Sequence, residues 1–163
     1  MADLTVLEEK LAEVLGLAMA AKAATDEVSA LTEEPDLSTT LERMHDEADE
    51  TESRCAEVAG EIDGKKTAIL DKARETKAEA TEMMKTYLGE DADALDGFEF
   101  LTMAEAGEVG HWEILGTLNE RAAKSEVSDL VSWALPIQQR HLETVRKASL
   151  ELASEEDPNE TSS

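Results

Sequence analysis

The chain contains three histidines, and each follows a carboxylate or amide residue by three positions. The pairs are Glu42 with His45, Glu108 with His111, and Gln138 with His141. Residues three apart on a helix project from neighbouring positions, so both side chains of a pair could contact one ion between helices. Imidazole combined with carboxylate is a donor set that suits iron or manganese better than structural zinc, whose sites are rich in thiolate. The pairs therefore predict a metal site between helices.

These residues lie on or beside helix faces that are otherwise apolar. Glu105, Glu108 and His111 interrupt a stripe of leucine and alanine in one segment, and His141 interrupts a similar stripe in the next. His45 lies one position from an apolar stripe. A buried carboxylate without a partner is unfavourable, and a divalent metal ion is one partner that removes this penalty.

The elements that position these residues are helices, because apolar residues recur at helical spacing and strand-like alternation is not evident. We expect five helices, over about residues 3–31, 37–62, 65–88, 93 or 96–123, and 125–153. The chain is thus predicted to be all-α. Residues 1–153 are expected to form a single domain of two antiparallel helix pairs bridged by the third helix. The acidic residues 154–163 are predicted to be a disordered tail.

Composition limits the classes of partner. The chain has 163 residues and a formal net charge of −24, from 39 Asp and Glu against 15 Lys and Arg. This charge argues against binding to nucleic acid or to an anionic membrane surface. It is typical of high solubility, of attraction for cations or basic partners, or of adaptation to salt. The single Cys55 excludes an internal disulfide. Because no export signal and no long apolar run are present, we expect a cytoplasmic location.

The candidate ligands repeat along the chain. Glu9 precedes Glu42 by 33 residues, Glu105 precedes Gln138 by the same interval, and the two sets are 96 residues apart. A Glu in one helix and Glu-x-x-His in the next, occurring twice, resembles the ferritin-like di-iron carboxylate superfamily, which includes bacterioferritin and rubrerythrin. Gln138 stands where that pattern has a bridging glutamate.

The resemblance implies a role for each residue. Glu9 and Glu105 would be terminal or capping carboxylates, and Glu42 and Gln138 would occupy the bridging positions. The nitrogen ligands would be His45, His111 and His141, and Glu108 would be an additional carboxylate. Along straight helices, however, Glu9 and His45 are separated by about 24 Å. The alternative ligands from the first helix are Glu13, Asp26 and Glu27.

The resemblance further implies a ferritin-like four-helix bundle with a crossover helix, binding two iron ions or manganese. Such a protein would oxidise Fe(II) with dioxygen or peroxide in iron handling or oxidative-stress defence, and a homodimer or larger homo-oligomer would fit the fold. The alternative hypothesis is a metal-free acidic helical bundle that serves as an interaction or stress-protective module. Gln138 favours this alternative, and whether the protein is an enzyme stays open.

Overall fold

A computed structural model describes residues 2–161, which form five α-helices and no strand. The helices are α1 (Val6–Ala30), α2 (Pro35–Glu61), α3 (Lys66–Tyr87), α4 (Ala94–Ala122) and α5 (Ser125–Ser154). The prediction of an all-α protein with five helices is confirmed. Residues 155–161, in the predicted tail, are exposed, and residues 162 and 163 lie outside the described range.

Local sequence signals explain where the helices begin. In α1, the Thr5 side chain accepts a hydrogen bond from the backbone of Glu8, and the Glu8 carboxylate accepts one from the backbone of Thr5. Asp93 and Asp96 form the same reciprocal pair at the start of α4. Pro35 is the first residue of α2, a position whose N–H would have no partner within the helix, so the missing N–H of proline costs no hydrogen bond. These caps satisfy backbone donors that would otherwise lack a partner.

The helices α1, α2, α4 and α5 form a four-helix bundle, and α3 packs along α1. Lys65, just before α3, pairs with Glu8 near the start of α1, so α3 and α1 run in the same direction. The helix α3 therefore crosses the length of the bundle. Gly97 at the start of α4 then meets Val28 near the end of α1. The four bundle helices consequently run up, down, down and up in chain order.

The apolar core is divided into two clusters. One contains Trp112 and Leu115 of α4 with the first half of α1. The other contains Phe98 and Leu101 of α4 with the last residues of α1. Between them, α4 and α5 place buried polar residues where the bundle would otherwise be apolar. We refer to Glu47, Glu105, Glu108, Gln138 and His141 as the polar layer.

Candidate functional site

The two carboxylates of α4 lie deep inside the bundle. Glu105 is 2% exposed and Glu108 is 5% exposed, and they lie between Leu101 and Trp112 on the inward face of the helix. Their spacing of three residues puts both on that face. The expectation that they interrupt an apolar stripe is therefore confirmed, and their chemistry depends on which groups they contact.

Gln138 of α5 supplies hydrogen-bond donors to both carboxylates. Its amide nitrogen faces them, because the opposite assignment would place its oxygen against other acceptors. In this orientation the nitrogen donates to Oε2 of Glu105 at 3.2 Å and to Oε2 of Glu108 at 2.5 Å. One neutral amide thus uses both its N–H groups to satisfy two buried carboxylates.

His141 connects this buried pair to the surface of the bundle. Its Nε2 lies 3.2 Å from Oε1 of Glu47 on α2, and its Nδ1 lies 3.8 Å from Oε2 of Glu105. Glu47 also accepts a hydrogen bond from Arg140, whose side chain is exposed. A continuous series of polar side chains therefore runs from Arg140 through Glu47 and His141 to Glu105 and Glu108.

The environment shifts the protonation of every titratable member of the layer. Burial raises the pKa of Glu105 to about 8, and a hydrogen bond with Glu108 opposes this shift. Burial, and then the charge of Glu105, raise the pKa of Glu108 well above its ordinary value. Burial lowers the pKa of His141 against the opposing effect of Glu47. Burial would raise the pKa of Glu47, but its bonds to Arg140 and His141 outweigh burial and lower it.

The directions of these shifts define the charge state near neutral pH. Glu105 and Glu108 are mainly neutral acids, His141 is a neutral imidazole, and Glu47 is an anion that Arg140 neutralises. The buried part of the layer therefore holds protons in place of net charge. Chemically, it can donate hydrogen bonds, or it can release protons to a cation that enters.

His111 lies outside the hydrogen bonds of the polar layer. Its Nδ1 bonds to the backbone oxygen of Gly107, and its Nε2 lies 3.6 Å from Oε2 of Glu13 on α1. Its predicted sequence partner, Glu108, instead contacts Gln138. Glu13 is one of the alternative ligands that the sequence suggested for the first helix, and here it faces a single histidine.

The remaining predicted ligands lie at the surface of the first helix pair. His45 is half-buried, with its Nε2 3.6 Å from Oδ2 of Asp26 and its Nδ1 3.7 Å from Oδ1 of Asp46. Glu42 is exposed and lines a shallow cavity of about 110 Å³ with these three residues. Glu9 is also exposed. The structure therefore brings together four of the eight predicted ligands, and they are Glu105, Glu108, Gln138 and His141.

A metal centre requires several His, Cys, Asp or Glu side chains whose donor atoms converge on one point. Within residues 2–161, no three side chains of His, Cys, Asp or Glu are arranged so that they could hold a metal ion. Each histidine pairs with a carboxylate on another helix: His45 with Asp26, His111 with Glu13, and His141 with Glu47. The di-iron donor set of eight residues stays a prediction.

Glu47 is the member of the polar layer that the sequence pattern missed. It was missed because the pattern required a carboxylate three residues before a histidine, and Glu47 follows His45 by two. A different signal identifies it. Glu47 lies three residues after Met44 and four before Thr51, both of which are buried on α2. A charged residue at that spacing shares the inward face of the helix.

An apolar cavity of about 190 Å³ adjoins the polar layer, between α1, α3 and α4. Glu105 and Glu108 line it on one side, and its walls include alanines of α1 and methionines of α3 and α4. Met83 is 53% exposed and Met103 is 39% exposed, which places both at the rim of the cavity. The two residues that carry the buried carboxylates therefore line a space that a small molecule could enter.

Neither membrane-spanning segments nor similarity to known proteins helps to assign a function to this chain. No helix among residues 2–161 combines the length and apolar character that crossing a membrane requires. No protein-family model matches the chain, and neither a curated protein nor a solved structure matches it.

Proposed function

We propose that the protein is a metal-independent binding module built on a divergent ferritin-like helical bundle. In this proposal the polar layer occupies the place where the ferritin-like superfamily holds its metal ions. The up, down, down, up order of the four bundle helices and the long α3 between the pairs support the relationship. The positions of Glu105, Glu108, Gln138 and His141 on the second helix pair support it as well.

The observation that carries the metal-independent role is the contact of Gln138 with both carboxylates. Buried carboxylates need partners, and a bridging cation is one way to supply them. In this chain the neutral amide of Gln138 supplies two N–H donors. The pKa values of Glu105 and Glu108 are raised, so these acids keep their protons near neutral pH. The cluster is thereby satisfied internally and requires no cation for its stability.

The first helix pair supports the same conclusion. Ala21 and Ala24 of α1 line the cavity that Glu105 and Glu108 also line, so α1 presents methyl groups near the acids. On α2, the buried residues nearest the layer are Ala48 and Thr51. The Thr51 hydroxyl donates to a backbone oxygen of its own helix. The first helix pair thus contributes to the polar layer through Glu47 of α2, whereas the di-iron resemblance implies donors from all four helices.

A second candidate function is iron or manganese binding, with oxidation of Fe(II) by dioxygen or peroxide. The observation that favours it is His141, whose two ring nitrogens each face a carboxylate. Metal-binding histidines commonly donate their second ring N–H to such a group. Under this hypothesis Glu105, Glu108 and His141 would hold the ion, and Glu47 would orient the imidazole. The ion would supply the redox chemistry.

Anaerobic titration of the purified protein with Fe(II) or Mn(II), followed by metal analysis, distinguishes the two functions. The test variant is Glu105→Gln with Glu108→Gln. The control is Glu99→Gln with Glu113→Gln, which makes the same two substitutions at exposed positions of the same helix. We expect equal metal retention in the two double variants. A plateau at one or two ions per chain that only the Glu105/Glu108 variant abolishes would overturn the proposal and support the second candidate.

A further inference from the structure

The lining of the cavity beside the polar layer combines apolar side chains with two acids. Leu17, Ala21, Met84 and Phe100 are among its apolar lining residues. Glu105 and Glu108, which are almost completely buried, also line it. Half-buried His111 is the other ionisable residue that lines it. A ligand complementary to this space needs an apolar body and a single polar end.

The size of the cavity limits the ligand to a small molecule. An apolar cavity of about 150 Å³ is large enough to bind benzene. The cavity here has a volume of about 190 Å³, which leaves room for a short polar substituent on a group of that size. Its rim, at Met83 and Met103, is accessible from solvent.

The two buried acids of the lining favour a cationic polar end. Glu105 and Glu108 hold protons near neutral pH, and an entering cation would take the place of those protons, because it relieves the repulsion between two ionised carboxylates. An ammonium group has three N–H donors and no acceptor, so it can donate to Glu105 and Glu108 together. The net charge of −24 also attracts cations toward the protein. The same net charge would repel an anionic ligand.

We propose that this cavity binds a small primary amine with an apolar group, its ammonium placed against Glu105 and Glu108. The inference rests on the proposed binding function and names its ligand class. The apolar group would occupy the space between α1, α3 and α4. The ammonium group would form charge-assisted hydrogen bonds with the two carboxylates, which are stronger than those of a neutral donor.

The probe for the first test is benzylamine, with benzyl alcohol as the uncharged control of matching shape. Calorimetric titration of the whole protein near neutral pH and physiological salt would compare the two. We expect one saturable benzylamine site per chain, with affinity about tenfold higher than for benzyl alcohol. Equal affinities for the two compounds would overturn the inference.

Two pairs of variants locate the site. Replacing Glu105 and Glu108 by Gln should weaken benzylamine binding about tenfold and leave benzyl alcohol binding unchanged, because Gln cannot ionise to a carboxylate when the ammonium enters. The exposed control pair, Glu99→Gln with Glu113→Gln, should retain wild-type affinity. Equal weakening in both double variants would identify amines as surface counterions and would overturn the inference.

A second measurement does not depend on the folding of any variant. With methyl-labelled methionine, benzylamine should shift the NMR signals of Met83, Met84 and Met103, which line the cavity, and leave Met19 unchanged. Shifts absent from the cavity methionines would contradict the assigned location. The metal titration is run separately. Loss of amine binding without metal binding therefore overturns only this inference, and site-specific metal binding overturns the proposed function.

Discussion

The two helix pairs of the bundle bury different kinds of side chain at the middle of the core. In the pair α4 and α5, four polar side chains are buried at the middle level. They are Glu105, Glu108, Gln138 and His141. In the pair α1 and α2, the buried residues at the corresponding level are mainly alanine and methionine, and the buried Thr51 bonds to its own helix. The polar layer is thus one-sided, with Glu47 as the contribution from α2.

The difference shows that an equal sequence offset does not give equal burial. Glu9 and Glu105 are 96 residues apart and so are Glu42 and Gln138, yet the first member of each pair is exposed and the second is buried. Buried polar groups are stable only with partners. For Glu105 and Glu108 the pair α4 and α5 supplies a partner itself, Gln138, and Glu47 of α2 is the partner of His141, so these residues can stay buried without a matching set on α1 and α2.

The largest expected effect is on the pH dependence of stability. The pKa of Glu105 is about 8 in the folded protein and near its ordinary value when unfolded, so the folded state binds more protons between these values. Its contribution is therefore complete at low pH and is lost as pH rises toward 8. In Glu105→Gln with Glu108→Gln, this loss should disappear. The variant should gain on the order of a few kcal/mol over wild type at pH 8, relative to pH 5.

Urea unfolding at pH 5 and pH 8 in high salt measures this difference, since salt reduces the general repulsion of an acidic chain. His141 has a lowered pKa and acts with the opposite sign below its ordinary pKa, but it is present in both proteins. The exposed pair Glu99→Gln with Glu113→Gln is the control. A pH response that is the same in all three proteins would contradict the one-sided protonated layer.

A second prediction compares one buried polar residue from each helix pair. Gln138→Leu removes both donors from Glu105 and Glu108, and should destabilise the protein by about 2 kcal/mol or more. Thr51→Val removes a hydroxyl that bonds only within α2, and should change stability by less than about 1 kcal/mol. Thermal and urea unfolding would measure both. Equal losses would show that the two pairs do not differ in the way described.

Much of the fold could be predicted from the sequence because its signals are local. Apolar spacing, the Asp93 cap and Pro35 define the helices without knowledge of their neighbours. The buried positions of Glu108 and His141 were also predictable, since they interrupt continuous apolar stripes. Which residue each histidine contacts depends on helix rotation and axial register. For that reason Asp26 and Glu47, from other helices, replace the predicted partners of His45 and His141.

Glycines of the two pairs provide a third, smaller contrast. A methyl group at Gly16 of α1 would overlap the backbone oxygen of Ala73 on α3, so Gly16→Ala should destabilise by about 1–3 kcal/mol. A methyl group at Gly107 of α4 would meet nothing within 4 Å. Gly107→Ala should therefore stabilise by about 1 kcal/mol, the usual difference between these residues in a helix. Thermal unfolding of the two variants should show shifts of opposite sign.

The smallest expected effect concerns Cys55, which lies in the apolar cluster shared by both pairs. It is completely buried, and burial raises the pKa of its thiol far above the ordinary value. The thiol should stay protonated and react negligibly with a maleimide reagent in the native protein. Rapid labelling should follow unfolding in urea. Rapid native labelling would show that the core between the pairs opens readily.

In the proposed function, a hydrogen-bonded polar layer stands where a ferritin-like protein would hold metal. Anomalous scattering at the iron edge, from crystals grown anaerobically with Fe(II), measures whether iron binds there. We expect no anomalous peak within coordination distance of Glu105, Glu108 or His141, with the Gln138 amide still donating to both carboxylates. One or two strong peaks beside these residues, with Gln138 displaced from them, would contradict the proposed function.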